Sequence, residues 1–330
     1  MSFEIEDAKR TACPLLIGLV GASFSGKTVS ALRLASGIVR VTKKPIVFID
    51  TESRRSTHYA DRFQFKAMHF APPFGALRYL EAIKKAVDYG AGCIIVDSMT
   101  HEHSGEGGLL WQSEQVLEKY SERDRNKHLA RSFIKPKRER VKLVNGIVQL
   151  GYTCPFIFCF RAHEKLDFSK KRRVTPGAYG ANTVEYEEGP REMGWQPETT
   201  SPLIYEMTQQ FLLTPGSEGV PILTSSIPDE KRIIKSPSQF QGWFRDGEQL
   251  SEDIGERFAL WARGDVKTTD TPPASFDALR ASLAACSTLA ELKAAWTTAH
   301  KQRAGLTDDD LSLLEAFKDE KKESLTNDRN

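Results

Sequence analysis

A chain of 330 residues, 40% hydrophobic and 27% charged with a net charge of +2, has room for two domains or one large α/β domain with an appendage. That balance excludes a globally polybasic or polyacidic protein, so affinity for nucleic acid has to come from local patches. Five scattered cysteines without zinc spacing do not imply disulfides, so a reducing cytoplasm is the expectation, and neither an apolar run of membrane-spanning length nor a signal-peptide pattern is expected from the sequence.

In chain order, the apolar run 15–20 predicts a buried strand, and 29–39 recurs at helical spacing through Val29, Leu32, Leu34, Ile38 and Val39. Between them stands Gly21-Ala22-Ser23-Phe24-Ser25-Gly26-Lys27-Thr28, which fits G-x-x-x-x-G-K-[ST] (Walker A) in its required strand–turn–helix context. The glycines let backbone N–H groups converge on phosphate oxygens, and the helix start adds its positive dipole end. Lys27 is placed to reach the β- and γ-phosphates and Thr28 to ligate Mg²⁺.

A second strand, Ile46-Val47-Phe48-Ile49-Asp50, leads into Thr51 and Glu52, and then into a basic and aromatic stretch with Arg54, Arg55, His58, Tyr59 and Arg62. A helix is predicted over 75–89, with Leu77, Leu80, Ile83 and Val87 as its buried stripe. Cys93-Ile94-Ile95-Val96-Asp97 is the third strand. Strands alternating with helices predict βαβ units and a parallel sheet, with ligand chemistry at the carboxyl ends of the strands. Asp97 has the Walker B pattern of an acid after four apolar residues, although an Asp before Ser98 and Thr100 also suits a helix cap. Glu52 is the candidate for activating water, with Glu102 and Glu106 as rivals in the polar segment 101–108. His101 and His103, two apart and without a third ligand, make a poor metal pair.

A helix is predicted over 109–120. The segment 119–142 then carries ten Lys or Arg against three acids, centred on Lys135, Lys137 and Arg138, with Pro136 a plausible first helical residue and Val141, Val144, Ile147 and Val148 as the apolar face. It reads equally as a solvated helix face or a nucleic-acid-contacting one. A fourth strand, 155–160, ends at Arg161-Ala162-His163. The long loop expected over 166–201 carries Lys170, Lys171, Arg172 and Arg173 interleaved with aromatics, a composition that suits either an unstructured surface loop or one gripping a single strand. Short strands are predicted over 203–213, 220–223 and 232–234, a helix around Phe258, and a linker over 264–275. Three helices follow, the second opened by the capping box Thr288-Leu289-Ala290-Glu291. The expected organisation is therefore a core over 1–263, a linker over 264–275 and a helical module over 276–330.

These motifs in this order resemble the RecA family, with a P-loop NTPase core of mainly parallel sheet flanked by helices. More narrowly, through Asp97-Ser98 and Ala162-His163-Glu164-Lys165, the chain is similar to the short RecA-like ATPases of phages (the AAA-family phage nucleotide-binding group), some of which anneal single strands. The resemblance covers about residues 13–240 and implies an ATP- and Mg²⁺-dependent ATPase acting on single-stranded DNA in recombination, annealing or repair. A homo-oligomeric ring or filament in a bacterial host's cytoplasm, with a single-strand-binding or other recombination protein as a further partner, is implied as well. By position, Glu52 becomes the catalytic carboxylate, Asp97 the Walker B acid, and Arg161 or His163 the γ-phosphate sensor where the family has Gln. The regions 101–135 and 166–200 take the place of two DNA-binding loops, and Lys231, Arg232 and Lys235 that of basic fingers reaching a neighbour's nucleotide. Two other functions are open to the same motifs. One is a P-loop kinase for a small acceptor, against which the long basic loops speak. The other is a nucleotide-gated loader or assembly factor for a replication or packaging partner.

Overall fold

Apolar strands joined by amphipathic helices bury both faces of a sheet, and this chain does so with one seven-stranded sheet. The computed structural model describes residues 12–167, 171–176, 182–187, 191–199, 202–223, 237–240, 242–245, 247–264, 276–286, 288–301 and 308–327. The path runs β3 (Lys66–His69), β2 (Ile46–Asp50), β4 (Cys93–Asp97), β5 (Phe156–Asp167), β1 (Leu16–Gly21), β9 (Gln209–Leu213), with β8 (Arg191–Pro197) pairing β5. Within this sheet all pairings are parallel except β5 with β8. One strand, β5, separates the strand that leads into the glycine-rich loop from the strand that ends at Asp97, in the mainly parallel α/β sheet that was expected.

Period-2 alternation sends Leu16 and Val20 to one face of the sheet, where they join Ile94, Val96, Phe156, Phe158 and Phe160 in a core with α2 (Ala76–Asp88) and α6 (Ile134–Gly151). α1 (Lys27–Thr42) lies against β1, β4 and β5 and packs on α8 (Glu252–Arg263). That crossing is unusually close. A Cβ on Gly37 would stand 1.7 Å from the Glu252 carbonyl oxygen, and one on Gly255 would stand 2.0 Å from that of Leu34.

Several expectations are corrected. The buried face of α2 is Ala76, Tyr79, Ile83 and Ala86, while Leu77 is exposed, because Tyr79 turns its ring inward and donates its hydroxyl to the Ser98 carbonyl. In α6 Leu143 is buried and Val141 is exposed, and the helix begins at Ile134 rather than at Pro136. The region 101–135 is helical: α3 (His101–Ser104), α4 (Leu109–Leu117), α5 (Glu122–Ser132) and the start of α6. Where it is described, the segment 166–201 is largely strand, with β5 running on to Asp167, β6 (Lys171–Pro176) paired antiparallel with β7 (Asn182–Glu187), and β8. Residues 203–206 belong to α7 (Pro202–Glu206), and only 209–213 of the predicted strand is extended. Instead of a strand at 220–223, Ile222 makes a single bridge to Leu212.

By its packing the chain divides into one unit of Met1–Lys235 with Gln249–Gly264, and another of Ser236–Glu248 with Asp265–Asn330. The second contains α9 (Phe276–Ala284), α10 (Leu289–Lys301) and α11 (Asp308–Asn327), which share a small core of Leu279, Leu283, Cys286, Leu292 and Leu314. Its α10 opens with reciprocal bonds between Thr288 and Glu291, each backbone N–H donating to the other's side chain at 3.2 Å. Among the described residues no helix is long and apolar enough to cross a membrane.

Candidate nucleotide-binding cleft

Between β1 and α1 the chain has to reverse within five residues, and it does so through Gly26 at φ 87°. A side chain there would be strained by that φ, and its Cβ would come within 2.5 Å of the Gly219 nitrogen. The loop is braced from inside and outside. Ser25 Oγ donates to the Ala22 carbonyl at 2.9 Å, while Gly219 N and Ser217 Oγ donate to the Ser25 carbonyl at 3.0 and 3.2 Å. Lys27 Nζ folds back onto the Ala22 carbonyl at 2.5 Å. Burial pulls its pKa down, against the opposing pull of nearby acidic groups that include Asp97 and Glu52. Phe24 projects from the loop tip into solvent, 99% exposed, with φ 61°.

The loop forms one wall of a cleft of about 560 Å³. Residues 23–28, with Asp50, Glu52, Asp97 and Arg161, come together there from the carboxyl ends of β1, β2 and β4 and from the middle of β5. Register explains the meeting: Gly21 pairs Arg161, and Asp50 pairs Asp97. Gly21 and Ala22 form the base of the turn. Thr28 Oγ1 donates to Asp97 Oδ2 at 2.7 Å. Burial pushes the Asp97 carboxyl up to about 6 despite that hydrogen bond.

Asp50 has a different task. It accepts from Glu52 N at 2.7 Å, Ser56 N at 2.9 Å and Ser56 Oγ at 2.5 Å, which anchors the 3₁₀ turn Arg55–Tyr59. That turn lines the cleft with Arg55, Ser56, His58 and Tyr59. Glu52 is held on both oxygens: Arg161 donates to Oε1 through Nη2 at 2.5 Å and Nε at 3.2 Å, and Arg55 Nη1 donates to Oε2 at 3.2 Å. Sequence reasoning missed this double grip and the contribution of the turn. The only sequence signal for either was the basic and aromatic stretch after Glu52.

Behind the cleft a hydrogen-bonded lattice fixes the strand ends. Thr51 N donates to the Asp97 carbonyl, Ser98 N donates to Thr51 Oγ1 at 2.7 Å, His101 Nδ1 meets Thr51 Oγ1 at 2.8 Å, and Arg161 N donates to Thr100 Oγ1 at 2.9 Å. The rival bases lie elsewhere. Glu102 is buried and held by Arg140 of α6 through Nε at 3.0 Å and Nη2 at 2.6 Å, and Glu106 is exposed; neither lines the cleft. His163 is exposed beyond Arg161 on β5 and is also absent from its lining.

The basic candidates are dispersed. Lys135, Lys137 and Arg138 are exposed on α6, with Lys135 3.9 Å from Glu139 and Lys137 over the Phe133 ring. Lys171, Arg172 and Arg173 lie in β6, in register with Glu187, Tyr186 and Glu185 of β7. Lys170, Lys231, Arg232 and Lys235 lie outside the described residues.

The residues present fit Mg²⁺. A hydroxyl and one carboxylate side by side suit a small hard ion that keeps most of its waters and takes its other oxygens from phosphate. Clusters of three or more His, Cys, Asp or Glu, as a transition metal prefers, are absent among the described residues.

No family model matches the sequence, and a search of curated proteins finds no match. Among solved structures the chain is similar to a KaiC-like protein from the hyperthermophilic archaeon Pyrococcus horikoshii. The two are 13% identical, with a TM-score of 0.28, over 56% of this chain and 88% of that one.

Proposed function

We propose that this chain is a Mg²⁺-dependent ATPase of RecA-like fold that acts on single-stranded DNA as a homo-oligomer, in recombination, annealing or repair of the phage type. The observation that carries the ATPase reading is the convergence of Lys27, Thr28, Asp97 and Glu52 in one cleft at the strand ends. The braced loop presents backbone N–H groups to phosphate, and Lys27 Nζ exchanges the Ala22 carbonyl for a phosphate oxygen. Thr28 and Asp97 would hold Mg²⁺, which neutralises charge on the β- and γ-phosphates. Glu52 takes a proton from the attacking water as the new oxygen–phosphorus bond forms. The bond from the γ-phosphorus to the bridging oxygen then breaks, and ADP leaves with that electron pair. Arg161, which lines the same cleft, holds the Glu52 carboxylate beside it in the resting state.

The DNA reading is supported by the exposed Lys135, Lys137 and Arg138 and by the basic strand β6. Lys27→Ala should lose nucleotide binding and turnover together, whereas Glu52→Gln should bind ATP and turn it over at least about a hundredfold more slowly, the usual size of a general-base effect. Turnover by the native protein should rise with single-stranded DNA at low salt and lose that rise at high salt. Undiminished turnover by Glu52→Gln counts against the base assignment; indifference to DNA at both salts counts against the DNA reading.

A further inference from the structure

Glu52 and Arg161 also form part of a second cleft. It has a volume of about 490 Å³, lies at the carboxyl ends of β2 and β3, and has Arg54, His69, Phe74 and His101 among its walls. The two clefts share only Asp50, Glu52, Arg55 and Arg161, so the doubly gripped carboxylate and its two arginines make up most of the partition.

The chemistry of the second side is distinctive. Phe70 and Phe74 give it an apolar floor, and its rim is cationic. Arg55 and Arg161 are engaged with Glu52, and Asp50 is engaged with the turn. Arg54 is exposed, and no carboxylate pairs with it among the described residues. It lines this cleft and not the nucleotide cleft. Its backbone is held there with some force: Ser53 and Arg54 are successive non-glycine residues at φ 57° and 68°. Such conformations persist where the surroundings over-determine them, and they gather at binding sites.

We propose that the second cleft is an anion site that seats a phosphate group on Arg54, and that the seated phosphate draws Arg55 and Arg161 away from Glu52. A guanidinium has five N–H donors and binds phosphate as readily as carboxylate, so a modest bias from a nearby anion can redirect it. The freed carboxylate then faces the water of the nucleotide cleft, which makes the anion an activator. A single strand's backbone phosphodiester and free inorganic phosphate both present this chemistry. The activating consequence rests on the ATPase reading; the binding does not.

The test therefore separates the two. Oligothymidylate and inorganic phosphate are titrated by calorimetry into Lys27→Ala protein, in which the phosphate loop is weakened by loss of its lysine, with and without Arg54→Ala. At least one probe should bind, and Arg54→Ala should weaken it by about tenfold or more, the effect of losing one charge-assisted contact, while Arg54→Lys restores most of it. The probe affected identifies the source. In otherwise native protein, Arg54→Ala should leave nucleotide affinity and basal turnover unchanged and remove the stimulation by that probe. Failure of both probes to bind, or affinities untouched by Arg54→Ala, overturns the site. Absence of turnover in native protein with Arg54-dependent binding intact overturns the ATPase reading and the activation, and leaves the anion site standing.

Discussion

Asp97 shows how one buried residue couples pH to stability. Its carboxyl, pushed to about 6 from a reference of 3.8, holds its proton more tightly when folded than when unfolded. Stability of the nucleotide-free protein therefore falls as pH rises from about 4 through 6, because the folded state gives up that proton at a cost. Metal binding has the opposite sign. Under the proposed function the carboxylate would be the Mg²⁺ ligand, so MgATP affinity should drop about tenfold per pH unit below 6 and level off above it. Asp97→Asn should raise the Tm of the nucleotide-free protein at pH 7 and abolish the further rise that MgATP gives. A lower Tm for this variant would mean that Asp97 is compensated in a way its burial and its single bond from Thr28 do not reveal.

At the scale of elements, the crossing of α1 and α8 is set by absent side chains. Gly37 and Gly255 meet the other helix's backbone, not a flexible side chain, so an alanine has nothing to push aside. Gly37→Ala and Gly255→Ala should each cost about 3 kcal/mol, read from the urea midpoint, at the upper end of overpacking penalties. The double variant should cost less than the sum, because one separation of the helices relieves both. Elements whose signal is apolar were legible in advance: β1, β2 and β4 as uninterrupted buried runs, and α10 through its capping box. Elements whose signal is polar were not. β3 is an exposed edge strand of sequence Lys-Ala-Met-His, α5 lacks an apolar face, and β6 and β7 are charged strands that only their pairing makes regular. That the acids at the ends of β2 and β4 would meet the loop followed from parallel topology. The partners of Asp50 and Glu52 did not, because hydrogen bonds between distant segments leave no periodicity in the chain.

Across the whole molecule, every residue of both clefts belongs to the first unit, while the helical core of Leu279, Leu283 and Leu314 belongs to the second. Chain terminated after Gly264 should keep nucleotide binding and basal turnover within about a factor of three, a loss below 1 kcal/mol. Abolished turnover would instead assign residues 265–330 a part in the chemistry. Among the described strands β5 is the longest. Its first half is hydrogen-bonded into the parallel sheet, and its second half pairs β8, with Ala162 opposite Pro197 and Glu164 opposite Trp195. From Phe156 to Glu164 it runs without a loop in which a displacement could be taken up; its register with β8 shifts only beyond, between Glu164 and Leu166. Arg161 sits on that strand beside the phosphate loop, so whatever shifts its side chain and backbone at one end should be read out as strain at the other. Trp195 makes the transmission visible. Its emission should change when nucleotide is added, and Arg161→Ala should flatten the change even where nucleotide still binds.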